Sequence, residues 1–92
     1  MARIRKHSRL MLLASQIRAA RALLGWRQQD LSKAANVGPA TIYRIERGMG
    51  PLTGNVATVM RIQEAFERAG IRFVEDSAGG EIGVILKRKQ KR

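Results

Sequence analysis

The sequence predicts a mainly α-helical fold, a bundle of four to five helices followed by a C-terminal β-hairpin. Between residues 10 and 70, apolar side chains recur at the three- and four-residue spacing of amphipathic helices, and glycines follow the ends of these stretches. From residue 71 the apolar period changes to two, with a glycine-rich turn inside the alternating stretch. A chain of 92 residues can close one small core and forms one domain.

Start and stop signals place the helices. They are expected at 10–24, 28–35, 39–47 and 55–69. Ser8 and Ser15 compete as the N-cap of the first helix, and Gly25 ends it. Pro39 suits the first position of the third helix, because its ring fixes φ at a helical value and the missing N–H has no partner there.

The alternating stretch predicts two strands, at 71–75 and 81–86, joined by a turn at 76–80. A lone two-stranded hairpin is only marginally stable in water. Its apolar residues therefore need a cover, which either the helical body or a second chain can supply.

Charge is the most informative part of the composition. The chain has 18 basic and 7 acidic residues, a net charge of +11. Residues 1–9 contain four bases and residues 87–92 contain five, and neither segment contains an acid. Such a chain is suited to a polyanion, with nucleic acid as the first candidate and an anionic membrane surface as the second.

Other functions lack the residues they need. Cysteine is absent, which excludes disulfides, thiolate nucleophiles and cysteine metal sites, and the longest apolar run, 10–14, is far short of the ~20 residues of a membrane span. His7 is the only histidine, and no P-loop, nucleophile elbow or zinc spacing is present. We expect no enzyme activity, no metal and no cofactor.

Two short helices joined by a tight turn form a helix-turn-helix motif. The turn is Asn36-Val37-Gly38, in which Val37 fills the corner and Gly38 is expected to permit the sharp change of direction. Ile42 and Ile45 anchor the following helix to the core. That anchoring turns a set of other side chains outward: Ala40, Thr41, Tyr43, Arg44 and Arg47.

Three segments carry a resemblance to a known family. They read QIRAAR at 16–21, LGWRQQDL at 24–31 and VGPATIYRIERG at 37–48. In this order and spacing they resemble the Cro/lambda-repressor-like family, also called the XRE family, of short bacterial and phage regulators. The resemblance implies a lambda-repressor-like fold whose third helix lies in the major groove of double-stranded DNA. It also implies a sequence-specific transcriptional regulator, expected to be a repressor located with the nucleoid in the cytoplasm.

The resemblance also assigns roles to residues. Arg44 is the expected main base reader, since its donors match the O6 and N7 acceptors of guanine. The other base-reading candidates are Ala40, Thr41, Tyr43 and Gln28, and the phosphate candidates are Arg47, Arg27, Lys33 and Gln29. Arg21 and Glu46 correspond to an internal ion pair that sets the tilt of the third helix. Two places depart from the family pattern, in which a polar capping side chain is common at position 27 and at the start of the third helix. This chain has Arg27 at the first and Gly38-Pro39 at the second.

The expected organisation is a basic N-terminal arm at 1–9, a DNA-binding domain at 10–70, a dimerisation hairpin at 71–86 and a basic tail at 87–92. The arm and tail are expected to contact DNA through Arg3, Arg5, Lys6, Lys87, Arg88 and Lys89. A homodimer on a palindromic operator is expected to bury Phe73, Ile82, Val84 and Leu86. The alternative function is an antitoxin, or a subunit whose hairpin and tail bind another protein, with autoregulatory DNA binding.

Overall fold

Four helices and three short strands form the part of the chain that the computed structural model describes, residues 4–5, 12–76 and 80–88. In chain order they are β1 (Ile4–Arg5), α1 (Ala14–Leu24), α2 (Gln28–Ala35), α3 (Pro39–Glu46), α4 (Val56–Arg68), β2 (Ile71–Asp76) and β3 (Ile82–Leu86). The predicted mainly helical fold with a C-terminal hairpin is confirmed.

Helix α1 begins at Ala14 rather than at residue 10, and residues 10 and 11 lie outside the described part. Its N-cap is Leu13, whose backbone N–H donates to Gln16 Oε1 at 2.9 Å. Ser15 lies inside the helix, so its predicted capping role is wrong, and Ser8 lies outside the described residues. The late start has a tertiary cause: Leu52 N–H donates to the Leu12 carbonyl at 3.0 Å, which keeps the chain extended there.

The turn between α2 and α3 owes its shape to Asn36. Asn36 adopts a left-handed conformation with φ 57°, which asparagine tolerates better than most residues. Gly38 has φ −60°, a value open to any residue, so the role predicted for Gly38 is wrong. Val37 is buried as expected, and its carbonyl accepts a hydrogen bond from Ser32 Oγ.

The core lies between the helices and one face of the sheet. Ile17, Leu31 and Ile42 are fully buried in it. Phe66 stacks on half-buried Trp26 with ring centroids 5.5 Å apart and meets the edge of Phe73 at 5.8 Å. These rings connect α4 to the α1–α2 corner on one side and to the sheet on the other.

The sheet has the order β1-β2-β3 and is antiparallel throughout. Phe73 pairs with Val84 and Ile71 with Leu86, and these four side chains share the face that packs on α1 and α4. The helical body therefore supplies the cover that the hairpin needs. Strand β1 was not predicted, since two residues are too few to show a period; it pairs with the end of β2, with Arg5 opposite Glu75.

Candidate nucleic-acid interface

Helix α3 presents one basic face away from the core. Ile42, Ile45 and Glu46 are buried and fix its inner side. Because successive residues turn by about 100° around an α-helix, Ala40, Arg44 and Arg47 all lie within about 40° of the direction opposite Ile42. All three are exposed. The small side chain of Ala40 allows the backbone of α3 to come close to a binding partner. The guanidinium groups of Arg44 and Arg47 can then contact that partner.

The flanks of this face hold polar and aromatic partners. On one side Arg44 Nη2 lies 3.5 Å from Thr41 Oγ1. On the other side Arg47 Cζ lies 6.0 Å from the centre of the Tyr43 ring, within the range of a cation–π contact. Each arginine thus has a neighbour one helical turn earlier that favours an orientation along the face.

A polar depression of about 330 Å³ separates α3 from the start of α4. Thr41 and Arg44 line one wall, and Thr53, Asn55 and Thr58 line the other. Asn55 caps α4, since its Oδ1 accepts from Thr58 N–H at 2.8 Å. The exposed side of α3 is thus continuous with a hydrogen-bonding surface at the α4 N-terminus.

The inner side of α3 is held by a buried carboxylate. Glu46 is 2% exposed and receives two parallel hydrogen bonds from Arg21, from Nε at 2.7 Å and from Nη2 at 2.8 Å. Arg21 Nη1 also donates to the Trp26 carbonyl at 2.9 Å, and Gln28 Nε2 donates to Glu46 Oε1 at 3.2 Å. The pair of Arg21 and Glu46 therefore links α3 to α1. The hydrogen bond from the Gln28 amide links α3 to α2 as well.

A second arginine of α1, Arg18, was missed by the sequence prediction. Its Nη1 donates to the backbone carbonyl of Glu46 and, at 2.9 Å, to that of Gly48. These carbonyls lie at the C-terminal end of α3, where cationic donors are favourable. The only signal in the sequence was the three-residue spacing from Arg21, which puts the two arginines on the same side of α1.

A helix-turn-helix family model matches residues 17–68, more than half of the chain, and covers all of α2, α3 and α4. The chain belongs to the Cro/lambda-repressor-like (XRE) helix-turn-helix family. No curated protein matches the chain. Membership makes it a DNA-binding transcription regulator, and the family is not one of enzymes.

The residues at α2 that the family resemblance assigns to DNA contacts lie in different environments. Arg27 and Asp30 form an ion pair at 3.3 Å, and Asp30 Oδ2 also accepts from Arg27 N–H at 2.8 Å. The hydrogen bond between the two side chains raises the pKa of Arg27 and lowers the pKa of Asp30. Gln29 and Lys33 are exposed, whereas Gln28 is half-buried and bonded to Glu46.

Half of the arm and tail assignments fall outside the described part. Arg3, Lys6 and Lys89 lie there. The backbone of Arg5 belongs to β1, and Lys87 and Arg88 are exposed just after β3.

The residues assigned to a dimer contact divide into three groups. Phe73 is 1% exposed and lies under Phe66, so its predicted place in a dimer interface is wrong: the protomer's own core encloses it. Val84 and Leu86 are half-buried against the same core, while Ile82 is 48% exposed. On the opposite face of the hairpin Ile85 is 37% exposed.

In the part of the chain that the structure describes, no helix has the length and apolar character that crossing a bilayer requires. Within the same residues, no three histidine or acidic side chains come together as ligands for a metal ion.

Proposed function

We propose that this XRE-family protein is a sequence-specific transcriptional repressor that binds a palindromic operator as a homodimer, with α3 in the major groove. The proposal rests on the difference between the two sides of α3, one bonded to the rest of the protein and the other exposed. Hydrogen bonds from Arg21 and Arg18 hold its inner side and its end, while Ala40, Arg44 and Arg47 remain exposed on the outside. A rigid helix with a free basic face is what reading of base edges requires.

Arg44 is the proposed base reader. Two of its guanidinium donors match the O6 and N7 acceptors of guanine, a contact worth about 1–3 kcal/mol of discrimination. Ala40 lies one turn earlier on the same face, where its methyl group would meet the methyl group of a thymine. Thr41 and Tyr43, on the flanks, are proposed to reach base edges or phosphates.

The proposed phosphate contacts surround this face. Arg47 lies at the end of α3, Arg27 is the exposed N-cap of α2, and Gln29 and Lys33 are exposed on α2. Gln28 remains a candidate for a base edge or a phosphate, because an amide has two N–H donors and Glu46 uses one. Contacts of this kind set the register of the protein on the duplex and carry no direct sequence information.

The homodimer follows from the small reading surface. One recognition helix contacts only a few base pairs, and two-fold proteins gain specificity by reading half-sites about 34–36 Å apart. DNA binding also implies that the protein acts in the cytoplasm at the nucleoid.

The decisive experiment compares Arg44→Ala with Arg61→Ala, an exposed arginine of α4, after an operator has been selected from randomised DNA. Arg44→Ala should lower the operator-to-random affinity ratio by roughly tenfold to a hundredfold, with the loss confined to particular base pairs. Arg61→Ala should preserve the ratio. An Arg44→Ala protein that keeps the full ratio for the operator would overturn the assignment of the reader.

A further inference from the structure

Strand β1 is joined to the sheet by a short contact. Among the described residues it has two, which pair with the last two residues of β2 and put Arg5 opposite Glu75. Because Lys87 N–H donates to the Gly70 carbonyl, the even-numbered residues of β2 bond to β3 and the odd-numbered ones turn toward β1. The backbone N–H and C=O of Glu75 therefore face Arg5. A strand this short adds few hydrogen bonds, so it can leave the sheet while the core stays folded.

The two segments that meet here carry opposite charges. Residues 1–9 contain four bases and no acid, and residues 73–86 contain three acids and no base. Two of these acids, Glu75 and Asp76, are the residues that pair with β1, and the third, exposed Glu81, directly precedes β3. Opposite charges directly across a pair of strands are favourable. This end of the hairpin therefore offers the basic arm the same sign of charge as a DNA backbone.

A second anchor keeps the arm close to α3. The Leu12 carbonyl accepts from Leu52 N–H at 3.0 Å. Ala14 N–H donates to the Gly50 carbonyl, also at 3.0 Å. The chain before α1 is thus bonded to the loop that follows α3. From Leu12 back to Arg5 the chain can span at most about 25 Å, so an arm released from β2 stays within that distance of the loop.

We propose that the acidic end of the hairpin, Glu75, Asp76 and Glu81, holds the basic arm in the free protein, and that DNA competes with it for the arm. In the docked state β1 lies on β2. When DNA is bound, phosphates replace the carboxylates as partners of the arm. This inference rests on DNA binding by the chain and on the expected contact between the arm and phosphates. It makes the hairpin an autoinhibitory element, because only the released fraction of the protein can bind DNA with its arm.

The test is a cycle of four proteins. Glu75→Gln with Asp76→Asn removes the two charges at the residues that pair with β1, and deletion of residues 2–5 removes the strand itself. In the full-length chain, the two substitutions should raise the affinity for a random-sequence duplex about threefold to fivefold at low salt, measured by fluorescence anisotropy. In the chain without residues 2–5 they should change the affinity much less, because no docked strand is left to release.

Two exposed acids of α4 provide the matched control, since Glu64→Gln with Glu67→Gln changes the net charge by the same amount. The control substitutions should alter the affinity equally in both chain lengths, because they change only the general repulsion between acids and DNA. If the hairpin substitutions also raise the affinity equally with and without residues 2–5, the acids do not act through the arm and the proposal is wrong.

Amide hydrogen exchange measures the docked state directly. In the free full-length chain the N–H of Glu75 should exchange faster once residues 2–5 are deleted, and it should exchange faster in the intact chain when a random-sequence duplex is added. Equal protection of this amide with and without saturating DNA would mean that the arm stays on β2, which would overturn the proposal. Because a random duplex is the probe, failure of this test leaves the reading of bases by Arg44 intact. Loss of sequence preference would likewise leave the arm contact standing.

Discussion

At the scale of single residues, Glu46 connects α3 to the rest of the molecule. Its carboxylate accepts hydrogen bonds from Arg21 and Gln28, and its backbone carbonyl accepts one from Arg18. The pair with Arg21 could be anticipated from the family resemblance. The bonds from Arg18 and Gln28 could not, because they depend on how three helices meet rather than on any local pattern.

The first prediction concerns this carboxylate. Glu46→Ala leaves the guanidinium of Arg21, which is 21% exposed, without its buried partner. We expect the free energy of unfolding to fall by about 3 kcal/mol, the lower end for a broken buried pair, because Arg21 keeps some contact with water. Urea denaturation followed by circular dichroism measures the change.

Glu64→Ala is the control for this prediction, since Glu64 is an exposed glutamate and its loss should alter stability by less than about 0.5 kcal/mol. Replacing both members of the pair, as in Arg21→Met with Glu46→Leu, should recover much of the loss, because no charge is then buried alone. Equal stability of the Glu46→Ala and Glu64→Ala proteins would show that the pair contributes nothing.

At the scale of elements, local signals located the middle of the chain and failed at its edges. Helix α2 was predicted at its observed bounds, and α3 and α4 within one residue at each end, because glycine, proline and asparagine mark these ends. The start of α1 was misplaced because the backbone at Leu12 is bonded to the α3–α4 loop, an interaction between distant residues. Strand β1 exists only through its pairing with β2, so no pattern in its own two residues could reveal it.

The second prediction concerns the end of α3. Arg18→Met removes the donor shared by the carbonyls of Glu46 and Gly48. Because hydrogen bonds from charged donors are worth more than neutral ones, we expect a loss of about 2 kcal/mol in stability. Amides in the last turn of α3 should also exchange faster with solvent than those of α2.

Two variants calibrate this second prediction. Arg18→Lys keeps the charge and one donor, so it should restore part of the protection against exchange. Arg61→Met alters an exposed arginine of α4 and should leave α3 unaffected. Unchanged exchange in the Arg18→Met protein would mean that α3 is held by Glu46 alone.

At the scale of the whole molecule, the described residues of the two basic segments lie at opposite ends of β2. Strand β1 pairs with the last residues of β2, while Lys87 lies beside Gly70, at the other end of the same strand. Six residues of extended chain separate these points by roughly 17–20 Å. The arm and the tail are therefore expected to meet different stretches of a bound duplex. The composition predicted both charged ends, but only the fold shows that β1 and Lys87 lie at opposite ends of β2.

The last prediction follows from that separation. Removing residues 89–92 takes away Lys89, Lys91 and Arg92 and preserves Lys87. If the tail binds phosphates, this truncation should lower the affinity for operator DNA and for random DNA by the same factor. The slope of log K against log salt should become shallower by about 0.9 for each phosphate that the shortened protein no longer neutralises. Fluorescence anisotropy at several salt concentrations measures both quantities. A selective loss for the operator would instead mean that the tail reads bases, and an unchanged slope would mean that it serves solubility alone.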